Sequence, residues 1–418
     1  MVPLDEAIAH VLDRCEPLAP VEVSALSASG LVLAADVVAT EAVSPFANTA
    51  MDGYAVRAAD TAGAPVVLPV VAEVAAGHPA ERALGPGEAM RIFTGAPLPD
   101  GADAVVMVER TERLDDGRAV RIAAAVEPGT HLRAPGEDLK PGERLFGAGD
   151  EVTPARLGVL ASLGVGAVAV RRRPRVGVLS TGDELVTGSA PLGPGQIRDS
   201  NRPTLLALVA QAGFDPVDLG HAADDEAAIA AAIERGAAGC DAVLSSGGVS
   251  MGDIDLVRVV LDRMGDMRWM QVAIRPAKPL AFGLVPGPGD RRVPVFGLPG
   301  NPVSSMVSFT LFARPGLRRL AGQADGHLHL PRLAATAAEP LGRRPDGKTH
   351  FVRVVAQVDA GAGGALRVRS SGGQGSHQLG AMARADGLAV LPDGDGVAAG
   401  GAVEVMLLSE PPTLPATA

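Results

Sequence analysis

The stretch 241–255 constrains the fold more than any other part of the chain. It begins as a short apolar run, Ala242 to Leu244, which has the length of a buried parallel strand. Ser and Gly follow at 245–248, and these residues let a backbone turn tightly and expose its N–H groups. From Asp255 a helical spacing of apolar residues begins. A strand that leads through such a turn into a helix predicts an anion site, because free N–H groups and the helix dipole point at the ligand.

Two carboxylates, Asp253 and Asp255, lie in the same turn. Carboxylates repel the oxyanion that the N–H groups attract. This pairing predicts a metal ion that neutralises the contact, most simply Mg²⁺.

The pattern around this stretch alternates between strands and helices. Strands are predicted at 176–179, 217–219, 242–244, 280–284 and 293–298, with helices at 205–211, at 224–235, from 255 and from 303. Such alternation predicts a three-layer α/β domain with a mostly parallel sheet, here residues 173–322. Ligands of such sheets bind beyond the carboxyl ends of the strands, where the polar loops of this stretch fall.

With 418 residues, the chain is too long for one core. We expect helices at 4–15 and 153–163, the second capped at Thr153-Pro154, and short strands between them. The predicted domains are a mixed α/β linker domain (1–40 and 143–172), a β-rich inserted domain (41–142), the α/β domain, a C-terminal β-rich domain (328–410) and a disordered tail (411–418). The basic run 171–173 marks a boundary and is interpreted as a solvated linker.

Composition excludes several classes of partner. The net charge of −11 argues against nucleic acid or an anionic membrane, since both require basic surfaces. The two cysteines, Cys15 and Cys240, have no CxxC spacing, so a disulfide framework or a zinc site is not expected. The N-terminus lacks a signal sequence and no apolar run reaches about 20 residues. We expect a soluble, cytoplasmic protein.

Several acids follow predicted strands and have two possible roles. Asp183 and Glu184 are either acids at a helix N-terminus or ligands of a substrate or metal, and Asp224 is either a helix cap or a ligand. Acids gathered at one sheet edge repel each other unless a cation joins them. Their convergence therefore favours a metal site.

Other loops carry further candidates, each with a structural alternative. The loop at 297–302 is either a rigid turn or a second anion cradle, and Arg275 and Lys278 are either surface charges or phosphate ligands. Ser200 and Asn201 either cap a helix or bond a heterocycle, while Asp52 and Thr94 can simply complete turns. No Ser/His/Asp order or Cys/His pair stands out, so covalent catalysis is poorly supported.

Five motifs, in this order along the chain, resemble the MoeA family of molybdopterin molybdenumtransferases, which also includes the E domain of gephyrin. They are SPFANTAMDGYA (44–55), IFTGAPLP (92–99), STGDEL (180–185), SSGGVSMGD (245–253) and GLPGNPVS (297–304). The resemblance covers about residues 1–410.

The resemblance implies an elongated four-domain homodimer, in which the linker domain also serves dimerisation. Its active site lies in a cleft between the α/β domain of one subunit and the β module of the other. The reaction implied is the insertion of molybdenum from molybdate into adenylylated molybdopterin, a small anionic pterin nucleotide, with release of AMP in the presence of Mg²⁺ or a similar divalent cation. The resemblance is also compatible with contacts to other proteins of molybdenum cofactor biosynthesis.

By motif position, the resemblance assigns roles to individual residues. The catalytic residues implied are Asp52, Thr94, Glu184, Asp224 and Asp255, of which Glu184, Asp224 and Asp255 are the metal ligands. The substrate-binding residues implied are Asp183, Ser200, Asn201, Gly247, Gly248, Ser250, Arg275, Lys278, Pro299, Gly300, Asn301 and Pro302. The sequence departs from the family pattern at Arg275-Pro276-Ala277-Lys278, which stands in place of a Lys-Pro-Gly-Lys run. Arginine at 275 keeps the positive charge of lysine but changes its geometry.

Two other functions compete with this one. A similar α/β domain occurs in enzymes that adenylylate molybdopterin with ATP, one step earlier, although the additional domains favour the later step. A scaffold that has kept the fold and binds a protein partner is the second alternative, but no tail or linker resembles a peptide-binding addition.

Overall fold

A computed structural model describes residues 1–249, 256–359, 363–409 and 413–414. The architecture is multidomain α/β plus β, as predicted. None of the helices in these ranges is long and apolar enough to cross a membrane.

The chain begins with one helix and three short strands. They are α1 (Leu4–Leu12), β1 (Pro20–Ser24), β2 (Val32–Leu33) and β3 (Val37–Val38). Val11 and Cys15 pack in the same core as Phe296 and Leu317, which belong to the central α/β region. Helix α1 therefore attaches the N-terminus to that region, and the strands after it take part in a separate sheet.

A β-rich segment follows. Its strands are β4 (Asn48–Thr49), β5 (Gly53–Val56), β6 (Val66–Val74), β7 (Ala89–Ile92), β8 (Ala104–Met107), β9 (Thr111–Leu114), β10 (Ala119–Ile122) and β11 (Leu132–Arg133). Six of them form one sheet in the order β8-β5-β7-β6-β10-β9, and β4 pairs with β11. Apolar runs between Gly and Pro residues thus form an all-β module, as expected.

The chain then returns to its first strands. The elements are β12 (Arg144–Phe146), α2 (Pro154–Ser162) and β13 (Ala167–Arg171). Strand β13 pairs with both β1 and β2, and β12 pairs with β3. The Thr153 hydroxyl accepts a hydrogen bond from the backbone N–H of Arg156 at 3.4 Å, which confirms the predicted cap of α2. The boundaries assigned to the domains stay predictions.

The central α/β region holds the longest series of alternating elements. They are β14 (Arg175–Thr181), β15 (Leu185–Val186), β16 (Ile197–Arg198), α3 (Asn201–Gln211), β17 (Asp215–Ala222), α4 (Glu226–Gly239), β18 (Ala242–Ser246), α5 (Leu256–Met264), β19 (Asp266–Gln271), β20 (Ile274–Arg275), β21 (Pro279–Pro286), β22 (Arg292–Leu298), α6 (Pro302–Ser308) and α7 (Arg314–Leu320). A π-helical turn, Phe309–Ala313, joins α6 to α7.

The central sheet has the order β17-β14-β18-β22-β21-β19. Its first four strands are parallel, and β21 runs antiparallel to both of its neighbours, β22 and β19, so the mostly parallel sheet is confirmed. Alternate residues of β18 face opposite sides: Leu244 packs in one buried cluster and Val243 in another. Helices cover both faces, which gives three layers.

The C-terminal region is a closed barrel. Its elements are β23 (Arg332–Ala337), β24 (Leu341–Gly342), β25 (Thr349–Asp359), β26 (Ala365–Ser370), α8 (Leu379–Ala383), β27 (Gly387–Leu391), β28 (Gly396–Val397), β29 (Ala402–Leu407) and β30 (Thr413–Leu414). The pairings β25-β26-β23-β29-β27-β25 close the ring, and β20 adds to β25 from the central region. Of the predicted disordered tail, all but 413–414 lies outside the described residues, and the backbone of 413–414 forms β30 beside β25.

Candidate functional site

The polar loops of the central region leave the sheet at one edge. Its parallel strands β14, β17, β18 and β22 end at Thr181, Ala222, Ser246 and Leu298, and the predicted acids, glycines and prolines follow directly. Strand register brings all four ends side by side. We call this the carboxyl edge.

Asp183 and Asp224 meet at the carboxyl edge. The backbone N–H of Asp183 donates to Asp224 Oδ2 at 3.3 Å, and the backbone N–H of Asp224 donates to Asp183 Oδ1 at 3.0 Å. Both residues are exposed. Each loop thus fixes the carboxylate of the other, and two anionic groups face solvent close together. Carboxylate oxygens in this arrangement match the ligands that hard divalent cations take.

The predicted cap of α4 is wrong by one residue. The side chain that accepts a hydrogen bond at the start of the helix belongs to Asp225, which takes the N–H of Ala228 at 2.9 Å. Asp225 has the extended backbone of an N-cap, which brings its carboxylate to the orphan N–H groups of the first turn. Asp224 is therefore not used as the cap.

Glu184 lies one residue beyond Asp183 and is exposed. Its carboxylate folds over Gly182, where an added Cβ would collide with it. His221 Nε2 donates to the carbonyl of Gly182 at 2.8 Å, which joins this loop to the end of β17. Glu184 consequently lies in the same loop as the Asp183 carboxylate.

Asn201 connects three loops of the carboxyl edge. Its side-chain amide donates to Ser246 Oγ at 2.8 Å and to the carbonyl of Gly300 at 2.7 Å. Ser200 occupies the N-cap position of α3 without a side-chain cap bond, and Asp199 takes that role by accepting from the N–H of Arg202 at 3.1 Å. The alternative of a Ser200 side-chain cap is therefore wrong.

The turn after β18 requires glycine. Gly247 and Gly248 have φ values of +102° and +69°, which side chains other than glycine rarely adopt. A Cβ at Gly247 would lie 3.0 Å from the carbonyl oxygen of Thr181, and the N–H of Gly247 donates to the carbonyl of Leu298 at 3.1 Å. The turn is thus pressed between its two neighbouring strands. Ser250, Asp253 and Asp255 lie outside the described residues.

The loop Pro299-Gly300-Asn301-Pro302 follows β22 and begins α6. Pro299 is buried, Gly300 and Asn301 are exposed, and Pro302 is the first helical residue, where its missing N–H is tolerated. The loop is therefore a turn that leads into a helix, as in the first of the two roles predicted for it. A second anion cradle at this point stays a prediction.

Arg275 and Lys278 lie between β19 and β21. The register of Ala281 opposite Gly297 brings the start of β21 level with the end of β22. The segment with both cations therefore leaves the sheet at the carboxyl edge, and both side chains are exposed. Arg275 also forms part of β20, beside His350 of the barrel.

Sequence reasoning missed a contribution from the C-terminal region. The N–H of Val303, at the start of α6, donates to the carbonyl of Ser376 at 3.2 Å. Beneath that loop, Arg353 is fully buried and donates to the carbonyls of Gly373 and Gly375 at 2.9 and 3.3 Å. The motif Gly-Gly-Gln-Gly-Ser at 372–376 was the available signal, but nothing local connects it to 299–302.

Asp52 and Thr94 lie on the β-rich module. The backbone N–H and the hydroxyl of Thr94 both donate to Asp52 Oδ1 at 2.8 Å. These two bonds, the backbone one first, hold the pKa of Asp52 below its ordinary value, with a further contribution from Arg91. Asp52 is thus an exposed carboxylate that stays ionised to lower pH. It belongs to a different sheet from the acids of the carboxyl edge.

No group of three or more His, Cys, Asp or Glu side chains forms a metal-binding cluster among the residues that the structure describes. One predicted ligand, Asp255, falls outside them. The magnesium site therefore stays a prediction, with Asp183 and Asp224 as the described carboxylates that lie together.

Family comparison covers the chain in three parts. Residues 2–164 match the MoeA N-terminal region (domain I and II), 177–319 match a probable molybdopterin binding domain, and 334–408 match the MoeA C-terminal region (domain IV).

Individual relatives extend over nearly the whole chain. It is 41% identical to molybdopterin molybdenumtransferase 2 of Mycobacterium tuberculosis over 396 residues, which cover 92% of this chain and 93% of that one. It is 35% identical to the molybdopterin molybdenumtransferase of Haemophilus influenzae over 407 residues, 97% of this chain and 98% of that one. A solved structure of the molybdopterin biosynthesis MoeA protein from Pyrococcus horikoshii is similar with a TM-score of 0.78 at 32% identity, covering 98% of this chain and 100% of that one.

Proposed function

The chain belongs to the MoeA family, and from this premise we propose that it is a molybdopterin molybdenumtransferase of molybdenum cofactor biosynthesis. It inserts molybdenum from molybdate into adenylylated molybdopterin and releases AMP. Both substrates are anions, and the pterin nucleotide carries a phosphoanhydride whose cleavage needs charge neutralisation.

The observation that carries this proposal is the convergence of acidic loops and an N–H-rich turn at the carboxyl edge. The turn at 247–248 has the positive φ angles that favour glycine, and Asn201 fixes Ser246 beside it. Asp183 and Asp224 lie at the same edge. Such a combination binds a phosphate together with a cation, which favours chemistry on a nucleotide.

The donor set fits a magnesium ion. Asp183 and Asp224 offer oxygen ligands to solvent, and Glu184 lies in the loop of Asp183. We infer that Glu184, Asp224 and Asp255 hold the ion and that Asp183 orients Asp224. A bound divalent cation would neutralise charge on the phosphoanhydride and so ease departure of AMP.

The protein's own groups bind and orient both anions. Gly248, in the turn after β18, is placed to offer its backbone N–H to phosphate, while Arg275 and Lys278 supply positive charge at the same edge. An oxygen of molybdate attacks the phosphorus of the pterin's own phosphate, the bond from that phosphorus to the bridging oxygen breaks, and AMP leaves with the bridging oxygen. The two dithiolene thiols then replace two oxygens on molybdenum: one leaves as water with the two thiol protons, and the other stays on phosphorus, which restores the pterin phosphate. No side chain has to form a covalent intermediate.

We further infer a homodimer in which Asp52 and Thr94 of the partner subunit complete the site. The support is that Asp52 is exposed and kept ionised by two hydrogen bonds from Thr94, although neither residue belongs to the central sheet. A carboxylate prepared in this way suits a binding role across a subunit boundary. Mixing inactive Asp52→Asn and Asp224→Asn chains should restore part of the activity, because one site of the mixed dimer is intact.

The test is AMP release from the purified protein with adenylylated molybdopterin, molybdate and Mg²⁺. Asp224→Asn should reduce the rate by about a hundredfold, as expected for a lost charge that stabilises the transition state. Asp225→Asn is the matched control, because asparagine is as good a cap as aspartate and the rate should be retained. Equal rates in the three proteins would remove Asp224 from the mechanism. Consumption of ATP with free molybdopterin would instead indicate the earlier adenylylation step.

A further inference from the structure

A cavity of about 640 Å³ lies at the opposite edge of the central sheet. Pro174, which precedes β14, and Phe214, which precedes β17, are both in its wall. Parallel strands that end at the carboxyl edge begin here, so we call this the amino edge. A strand of seven residues such as β14 separates the two edges by about 20 Å.

Three regions of the chain meet around this cavity. Gly30 to Val32 come from the first strands, α7 comes from the central region, and Met382 and Leu408 come from the C-terminal region. The volume falls in the range of sites that hold small organic molecules. It is therefore a cavity between domains rather than a packing defect within one core.

Positive charge dominates the lining. Five arginines contribute to it, and Glu151 is the carboxylate among the described lining residues; the arginines are Arg171, Arg172, Arg173, Arg314 and Arg318. Arg172 has a carboxylate partner, Asp241, whereas Arg171 donates to the carbonyl of Leu18. The chain as a whole has a net charge of −11, so this concentration of positive charge is confined to the cavity region.

Arg314 and Arg318 lie one turn apart on α7 and lack a carboxylate partner. Arg314 donates to the carbonyl of Leu328 at 3.3 Å, and Arg318 donates to the side chain of Gln323. Both of these partners are neutral groups. Burial, with the neighbouring Arg318, lowers the pKa of Arg314 to about 10, and burial also lowers the pKa of Arg318 against an opposing effect of Glu151. Two half-buried like charges thus lie together and are only partly compensated by Glu151, and an anion would relieve their repulsion.

Much of the remaining wall is apolar. Leu208, Phe214, Met306, Phe309, Leu330 and Met382 line the cavity. Inorganic phosphate alone would leave these side chains in contact with water. A ligand that satisfies both parts of the wall has an oxyanion head for the guanidinium groups and an apolar body for the remainder.

We propose that this cavity is a second binding site, for a small organic oxyanion such as an aryl phosphate or an aromatic carboxylate. Arg314 and Arg318 bind the head, and the apolar wall takes the body. Bound there, the ligand neutralises the arginine pair and contacts all three regions, so it also stabilises their junction.

The experiment is calorimetric titration of the full chain with 1-naphthyl phosphate, and with 1-naphthol and inorganic phosphate as the two halves of that probe. The intact probe should bind once per chain and at least tenfold more tightly than either half. Arg314→Gln and Arg318→Gln should each weaken binding about ten- to a hundredfold, because a charge-assisted hydrogen bond is lost. The thermal unfolding midpoint of each variant verifies that it is folded.

Two variants serve as controls. Arg263→Gln removes the same charge from a surface pair with Glu226, and Asn201→Ala alters the carboxyl edge; both should keep the affinity of the parent. The proposal is overturned if 1-naphthol binds as tightly as 1-naphthyl phosphate, or if both Arg variants keep full affinity. It is equally overturned if only Asn201→Ala weakens binding, which would locate the probe at the carboxyl edge. A shift of the Arg variants from dimer to monomer without a change in affinity would assign these cations to subunit contact instead.

Discussion

The two edges of the central sheet carry the same residue type in opposite circumstances. At the amino edge, Asp241 is buried and is held by two hydrogen bonds from Arg172, at 2.5 and 2.6 Å, by Arg291 at 3.3 Å, and by the N–H of Arg175 at 2.8 Å. At the carboxyl edge, Asp183 and Asp224 are exposed and accept only backbone N–H bonds in the contacts described above.

This contrast separates a carboxylate that is paired with arginine from carboxylates that are not neutralised. A buried charge requires a paired counter-charge, and Asp241 has one in bidentate geometry. An exposed carboxylate that is fixed by N–H groups but not neutralised keeps its capacity to bind a cation. In the same α/β scaffold, arginine thus neutralises the carboxylate at the amino edge, while the carboxylates at the carboxyl edge stay exposed to solvent.

The largest effect should be the loss of stability when the Asp241 carboxylate at the amino edge is removed. Asp241→Asn leaves Arg172 without its bidentate partner and should lower the free energy of unfolding by about 3 kcal/mol. Urea denaturation followed by the fluorescence of Trp269, the one tryptophan and a residue of β19 in the same sheet, measures it. The control Glu226→Gln removes an exposed partner of Arg263 and should cost less than about 1 kcal/mol. Similar losses in both variants would contradict the structural role of Asp241.

The second effect is a loss of activity when a carboxylate at the carboxyl edge is removed. Asp183→Asn should reduce AMP release by about a hundredfold while leaving the urea midpoint of the protein almost unchanged, because its carboxylate is exposed. Steady-state rates and the same Trp269 denaturation curve measure the two properties. If Asp183→Asn proved as destabilising as Asp241→Asn, the distinction between the two edges would not hold.

Backbone strain should produce the third effect. Gly247→Ala places a Cβ 3.0 Å from the Thr181 carbonyl at a φ of +102°, which should lower stability by about 2 kcal/mol. Gly300→Ala is the matched control, because the nearest atom to its Cβ is 3.8 Å away, in ordinary van der Waals contact. Thermal unfolding of both variants provides the comparison, and an equal decrease would show that the turn tolerates a side chain.

The smallest effect is confined to low pH. Because the folded pKa of Asp52 is lowered, activity that needs its carboxylate is present above that pKa and is lost as the pH falls through it. Thr94→Val removes the hydroxyl but keeps the N–H donor, so the acidic limb of the pH–rate profile should move to higher pH with little change at pH 8. Thr111→Val, whose hydroxyl donates to the Val108 carbonyl, should leave the profile unchanged. An unshifted profile for Thr94→Val would show that Asp52 ionisation does not limit the reaction.

Much of the central region could be predicted from local pattern. The apolar runs of β14, β18 and β22 and the Gly-rich turns after them indicate parallel strands that share an edge, and this placed Asp183, Asp224 and Gly247 correctly at that edge. Strand β19 was not predicted, because Arg268 and Gln271 interrupt its apolar residues. The prediction that Asp224 caps α4 was wrong, because Asp224 and Asp225 are adjacent and the local sequence does not distinguish which of the two is the N-cap.

Long-range partners could not be predicted. The run 171–173 was interpreted as a solvated linker, which is wrong for Arg172, whose partner Asp241 is 69 positions away. The contact of Val303 with Ser376 and the burial of Arg353 likewise depend on how distant segments dock. Periodicity and turn chemistry say nothing about such contacts, since they report only on neighbours in sequence.

Strand β20 has a mechanical consequence. Its two residues, Ile274 and Arg275, lie along the chain between two strands of the central sheet, β19 and β21, yet pair with Thr349 and His350 of the barrel. This pairing ties the barrel to the central region by backbone hydrogen bonds, so we expect the two to move together. Among the described residues, the strands β4 to β11 of the β-rich module pair only with one another, and none pairs with the central sheet or the barrel. A movement of that module relative to the rest of the chain should therefore leave the central sheet and the barrel in place relative to each other.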